Sequence, residues 1–298
     1  MISADRRKSI LKNILKLSIT GIALYYVFQK IDFQEFLLNI SRAKPGQLLI
    51  ALVLFNLSKI ASAFRSLKFY NALEIYLSYG LNLILYYIGM FYNLFLPGAI
   101  GGDGYKVYLL KQSNKQVKTG QLVGAALLDR LSGMAVIFFL ACLFFLLSSV
   151  EIGLLYVQVL VVLAAFLVFP GFFLFVRLFF SVFQSVFFST MLYSFLVQLA
   201  QVACAYFILR ALGIDDYFAD YFTLFLISSV VSILPFTIGG VGARELVFLY
   251  GYQFLSIDED KAIAFTILFF MITALTSFSG LFLSFGLDTD KLRSDDAA

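Results

Sequence analysis

Apolar residues in this chain run in long, nearly unbroken stretches, not in the one-sided stripe of a water-soluble helix. Six stretches approach the ~20 residues needed to cross a bilayer core: 10–28, 46–64, 131–149, 153–176, 190–211 and 261–285. Lys12 and Lys16 shorten the apolar part of the first, and both can snorkel to the interface. Residues 33–43 and 178–188 are too short to span and read as helices lying on the membrane surface. No linker or low-complexity tract divides the chain, so a single integral membrane domain over 1–298 is expected, with halves of about 1–150 and 151–298.

Two further apolar regions, 77–112 and 219–254, are interrupted by the same pattern. The first carries Leu96, Pro97, Ile100, Gly101, Gly102, Gly104 and Lys106; the second repeats them as Leu234, Pro235, Ile238, Gly239, Gly240, Gly242 and Arg244. Each interruption puts a helix breaker, glycines and a cation where a membrane helix would otherwise continue. Lipid offers broken backbone no hydrogen-bond partners. Matching interruptions in two halves of a chain therefore point to a transport site.

Each region is either one full span with an outside loop or a re-entrant hairpin. Positive charge favours the hairpins, because Lys and Arg accumulate on the cytoplasmic side of short loops. As a full span, the first region would leave Lys106, Lys111, Lys115 and Lys118 outside. With two hairpins, fifteen cations fall on the cytoplasmic side, Arg65, Lys106 and Arg130 among them, and five on the other. Both termini are then cytoplasmic. Each half reads span, span, hairpin, span, and three crossings precede the second half, so the halves are inverted. The expected fold is all-α and polytopic, with about six transmembrane helices and two re-entrant helical hairpins in an inverted repeat.

The motif has usable chemistry. Pro97 and Pro235 end a helix arm and leave carbonyls free. Gly101, Gly102, Gly104, Gly239, Gly240 and Gly242 permit positive φ and close approach of a ligand to bare backbone. The helix that resumes after each glycine cluster begins with unpaired amides and favours an anion. Lys106 and Arg244 add a full charge to each such end. Asp103 lies at i, i+3 to Lys106, and Glu245 adjoins Arg244. Asp129 and Arg130 open the third full span, where ionisable side chains are costly and mark candidate functional positions. Lys59, inside the second span, either snorkels or contacts a ligand, and Arg65 reads as an anchor at that span's end. The bland alternative for the whole motif is a tight turn between packed arms.

Composition narrows the classes. Hydrophobic residues make up 61% and charged residues 13%, against about 45–50% and 25% for a soluble domain. The chain lacks His, the usual general base and commonest metal ligand. Cys142 and Cys204 sit in separate apolar spans and suggest neither a disulfide framework nor a zinc site. No cofactor and no nucleic-acid partner are indicated. The Gly101–Gly104 cluster lacks the Gly-Lys-Ser/Thr of a nucleotide loop.

In order, Asn93 to Lys106, then Asp129-Arg130 with Gly133, then Leu234 to Glu245, resemble the motifs of the lysylphosphatidylglycerol synthase transmembrane family. That family includes the flippase domain of the multiple peptide resistance factor. The resemblance makes Pro97, Gly101, Gly102, Asp103, Lys106, Asp129, Arg130, Pro235, Gly239, Gly240, Arg244 and Glu245 family motif positions. It implies a bacterial or archaeal cytoplasmic membrane protein that translocates lipid; with only a short polar tail after residue 285, lipid synthesis is not expected. Lys106 departs from the Arg expected there, so a point charge replaces a bidentate fork. The substrate expected is a phospholipid or a polyprenyl-phosphate-linked lipid. A separate lipid-modifying enzyme, or further copies of the chain, are partners the reading leaves open. Two other readings stay open: a polyprenyl-phosphate glycosyltransferase or its accessory, and a small-solute carrier.

Overall fold

A computed structural model of the chain describes residues 38, 41–95, 101–150, 155–233, 242–285 and 292. Among them the fold is all-helical: α1 (Pro45–Asn71), α2 (Tyr79–Phe95), α3 (Gly101–Ser113), α4 (Thr119–Leu146), α5 (Leu155–Phe179), α6 (Phe187–Ala211), α7 (Phe218–Ile233), α8 (Ala243–Gly251) and α9 (Glu259–Ser284). Short 3-10 turns precede α6 and follow α8. The expected first span, 10–28, and most of 33–43 lie outside the described residues, as do both Pro97 and Pro235.

α1, α4, α5, α6 and α9 are long and apolar enough to cross a membrane. They correspond to the other five expected spans, with two informative shifts. α1 continues past Phe64 to Asn71, and Arg65 is buried within it, not anchored at its end. α4 begins at Thr119, so Asp129 and Arg130 sit inside a membrane-length helix and do not open it. Both helices run on through charged residues because those charges find partners inside the protein. Residues 178–188 form no surface helix: they divide among the end of α5, the turn Ser181–Val186 and the start of α6.

The same packings occur twice, with the halves exchanged. α1 lies along α6. α2 packs on α9, as α7 packs on α4. α3 packs on α2 and α4, as α8 packs on α7 and α9. α5 stays at the periphery, where Leu163, Phe166, Leu167 and Leu174 are exposed and offer an apolar face to lipid.

Glycines set the tightest of these contacts. A Cβ on Gly102 would come within 1.8 Å of the Gly89 carbonyl oxygen, so α3 and α2 touch backbone to backbone. A Cβ on Gly280 would lie 2.1 Å from the Tyr87 carbonyl oxygen, which brings α9 equally close to α2. At Gly251 the close neighbour is a side chain instead: a Cβ there would lie 2.3 Å from Leu224 Cδ2 of α7. Between helices in a bilayer, small residues earn their stabilisation through close packing.

Candidate functional site

Seven charged side chains, drawn from both halves of the sequence, line one cavity of about 310 Å³. α1 supplies Lys59 and Arg65, α3 supplies Asp103 and Lys106, and α4 supplies Asp129 and Arg130. α8 brings Arg244 from the second half, and α6, α7 and α9 add Gln198, Gln201, Ser229, Ser232 and Thr273. Five cations thus face two carboxylates.

Three of the cations are tied to acids. Asp103 divides its oxygens, Oδ1 taking Lys106 Nζ at 2.8 Å and Oδ2 taking Arg130 Nε. The first contact is the i, i+3 pair expected within α3; the second joins α3 to α4. Arg65 donates from Nε to Asp129 Oδ1 at 2.8 Å and from Nη1 to Ser194 Oγ at 3.0 Å. Gly133 makes room for this guanidinium, since a Cβ there would lie 3.1 Å from Arg65 Nη1. Gly89 likewise leaves space for the Lys106 stem, 3.1 Å from where its Cβ would be.

The other two cations rest on aromatic rings. Lys59 Nζ lies 4.3 Å from the centre of the Phe55 ring. The Arg244 guanidinium lies 4.5 Å from Phe269 and 5.5 Å from Phe225. Its Nη1 is buried and has no hydrogen-bond partner among the described residues.

The motif glycines behave differently from one another. Among the described motif glycines only Gly242 takes positive φ, at 82°; Gly101, Gly102 and Gly104 are helical, so the positive φ they permit is not used there. Gly102 is buried against Gly89 and is not open to a ligand. Its amide donates to Asn93 Oδ1 at 2.8 Å, and the Gly242 amide donates to Glu245 Oε2, also at 2.8 Å. These amides are capped from within the chain. Glu245 therefore caps α8 and makes no ion pair with Arg244 among the described residues. Gly239 and Gly240, with Pro97 and Pro235, lie outside the described residues.

Several lining residues escaped the sequence reading. Gln198 and Gln201 on α6, and Ser229 and Ser232 on α7, are polar pairs at i, i+3 inside apolar helices. That spacing places each pair on one helix face and was the available signal. Lys59, Ser62 and Arg65 form a similar stripe on α1.

A second space, a cleft of about 330 Å³, is lined only by apolar side chains, from α4 (Phe138, Ala141, Cys142, Phe145), α5 (Val161) and α7 (Ile227, Val230, Val231). Ile137 and Ser229 face the polar cavity while their neighbours Phe138 and Val230 face the cleft. The two spaces therefore use different faces of the same two helices, α4 and α7.

The chain belongs to the family described as lysylphosphatidylglycerol synthase TM region, whose model matches residues 13–280. No curated protein matches it.

Proposed function

We propose that this member of the lysylphosphatidylglycerol synthase TM region family is a lipid translocator: it moves a phosphate-bearing lipid between leaflets with the head group in the polar cavity. One observation carries the reading: a cation-rich cavity lined from both halves of the sequence shares two of its helices, α4 and α7, with a wholly apolar cleft. A lipid presents those two chemistries together. The acyl chains stay in the cleft and the surrounding bilayer; the head group passes between the halves.

The geometry supports a re-entrant reading of the two motif regions. α3 has 13 residues and α8 has nine, about 20 and 14 Å of helix, short of the ~30 Å hydrocarbon core. The exchange of equivalent packings between halves supports an inverted repeat, which suits alternating access. Arg65, Lys106 and Arg130 are buried or half-buried in the cavity and no longer count as loop charges, yet the remaining cations still favour cytoplasmic termini.

The proposal makes the protein a carrier and not an enzyme. Asp103 and Asp129 do share the cavity, but their described contacts are to cations, which suits holding a site together better than proton transfer. A small-solute carrier has no use for the apolar cleft.

The test is lipid movement in vesicles containing the purified protein and a labelled phospholipid, read by the fraction accessible to a membrane-impermeant quencher. Protein-containing vesicles should equilibrate the label faster than empty ones. Ser232→Trp, which fills the cavity, should slow it. Rates equal to those of empty vesicles, or unaffected by Ser232→Trp in a folded protein, would overturn the proposal.

A further inference from the structure

Counter-charge is distributed unevenly in the cavity. Lys106, Arg130 and Arg65 share Asp103 and Asp129. Lys59 and Arg244 have no carboxylate within salt-bridge distance among the described residues. The outlying motif segments, 96–100 and 234–241, contain no ionisable side chain to supply one.

These two cations, one from each half, stand on a single aromatic step. Lys59 lies over Phe55 and Arg244 over Phe269, and the two rings meet edge to face with centres 5.6 Å apart. Cation–π contacts return only a fraction of the hydration an ion loses on leaving water. Two like charges held together in a cavity, one with a buried and unused Nη1 donor, form half of an ion cluster.

We infer that Lys59 and Arg244 are the anion-holding pair of this cavity and that the head group they select is a phosphate with net negative charge. The inference rests on the translocator reading and narrows it. Lys106, the motif cation, is a positioning residue held by Asp103. Among the described residues, five cations against two carboxylates leave a formal surplus of three, or two if the capping Glu245 is included. A net cationic head group, such as an aminoacylated one, would enter against that surplus. A zwitterion would leave it uncompensated.

The experiment uses the full chain in phosphatidylcholine vesicles with tracer amounts of labelled phosphatidylglycerol, phosphatidylcholine or lysyl-phosphatidylglycerol. Phosphatidylglycerol should move at least about tenfold faster than the other two, the equivalent of roughly 1.4 kcal/mol of selectivity. Lys59→Met and Arg244→Met should each remove that preference, while Lys59→Arg and Arg244→Lys retain most of it. Because each Met variant deletes a half-buried charge with no carboxylate partner among the described residues, its thermal stability in detergent should match or exceed that of the parent. Inorganic phosphate should raise the parent's melting temperature and leave those of the Met variants unchanged. Movement of all three lipids at equal rates would overturn the inference while leaving the translocator intact. A loss of stability in both Met variants would do the same, by giving the pair a structural role. Uptake of radiolabelled inorganic phosphate without lipid movement would support the pair and overturn the translocator reading.

Discussion

Arg65 on α1 and Asp129 on α4 are 64 positions apart in sequence and meet at 2.8 Å, both buried. The pair is what lets two membrane-length helices carry charge through their middle. Removing one member leaves the other uncompensated where water is scarce, at a cost of about 3–5 kcal/mol. Asp129→Asn should therefore lower the melting temperature in detergent markedly. The double variant Arg65→Met/Asp129→Leu should recover most of that loss and still translocate poorly, because the cavity wall has changed.

The glycines of the first motif separate cleanly by position. Gly102→Ala drives a methyl into the Gly89 carbonyl. It should destabilise by about 1–3 kcal/mol, as overpacking does. Gly104, two residues on, has open space around its missing Cβ. Gly104→Ala should leave stability unchanged or raise it by up to about 1 kcal/mol through helix propensity. Thermal unfolding of the two variants side by side checks both expectations.

Asp220 in the first turn of α7 holds three connections together. It accepts from the Ser149 amide at 2.7 Å, the Ser149 hydroxyl at 2.5 Å and the Ser256 amide at 3.2 Å. Asp220→Ala takes the acceptor from both Ser149 donors and leaves the Ser256 amide only Ser149 Oγ, and should cost about 1–3 kcal/mol. Hydrogen exchange should quicken at the amides of Ser149 and Ser256 while the α1–α6 core stays protected.

Much of this architecture was legible in sequence. Five membrane helices could be read from apolar length; the paired motifs led to Asp103, Lys106 and Arg244, and charge at the edge of an apolar span led to Asp129 and Arg130, all of which line one cavity. Helix ends were harder. Charge is the usual signal for the end of a span, and Arg65 and Asp129 broke that rule because each neutralised the other across 64 residues. Gly102 misled for a related reason: glycine signals close approach, but sequence does not say whether a ligand or another helix approaches. Here Gly89 does. Lys59 could be weighed but not decided, since snorkelling and cavity-lining place a lysine at the same position in a span. Gln198, Gln201, Ser229 and Ser232 announced themselves only by i, i+3 spacing, a weak mark beside an eleven-residue repeat.

The central claim is that a lipid head group lies between the two halves, and photo-crosslinking from inside the cavity tests it most directly. A photoreactive phenylalanine analogue at Met134, which lines the polar cavity, is activated in phosphatidylglycerol-containing vesicles and the adducts are read by mass spectrometry. The same analogue at Phe166, exposed on α5, reports ordinary lipid contact. The account predicts phospholipid adducts at both positions, with the adduct at Met134 alone disappearing when Ser232→Trp fills the cavity. Lipid adducts at Phe166 with none at Met134 would contradict it.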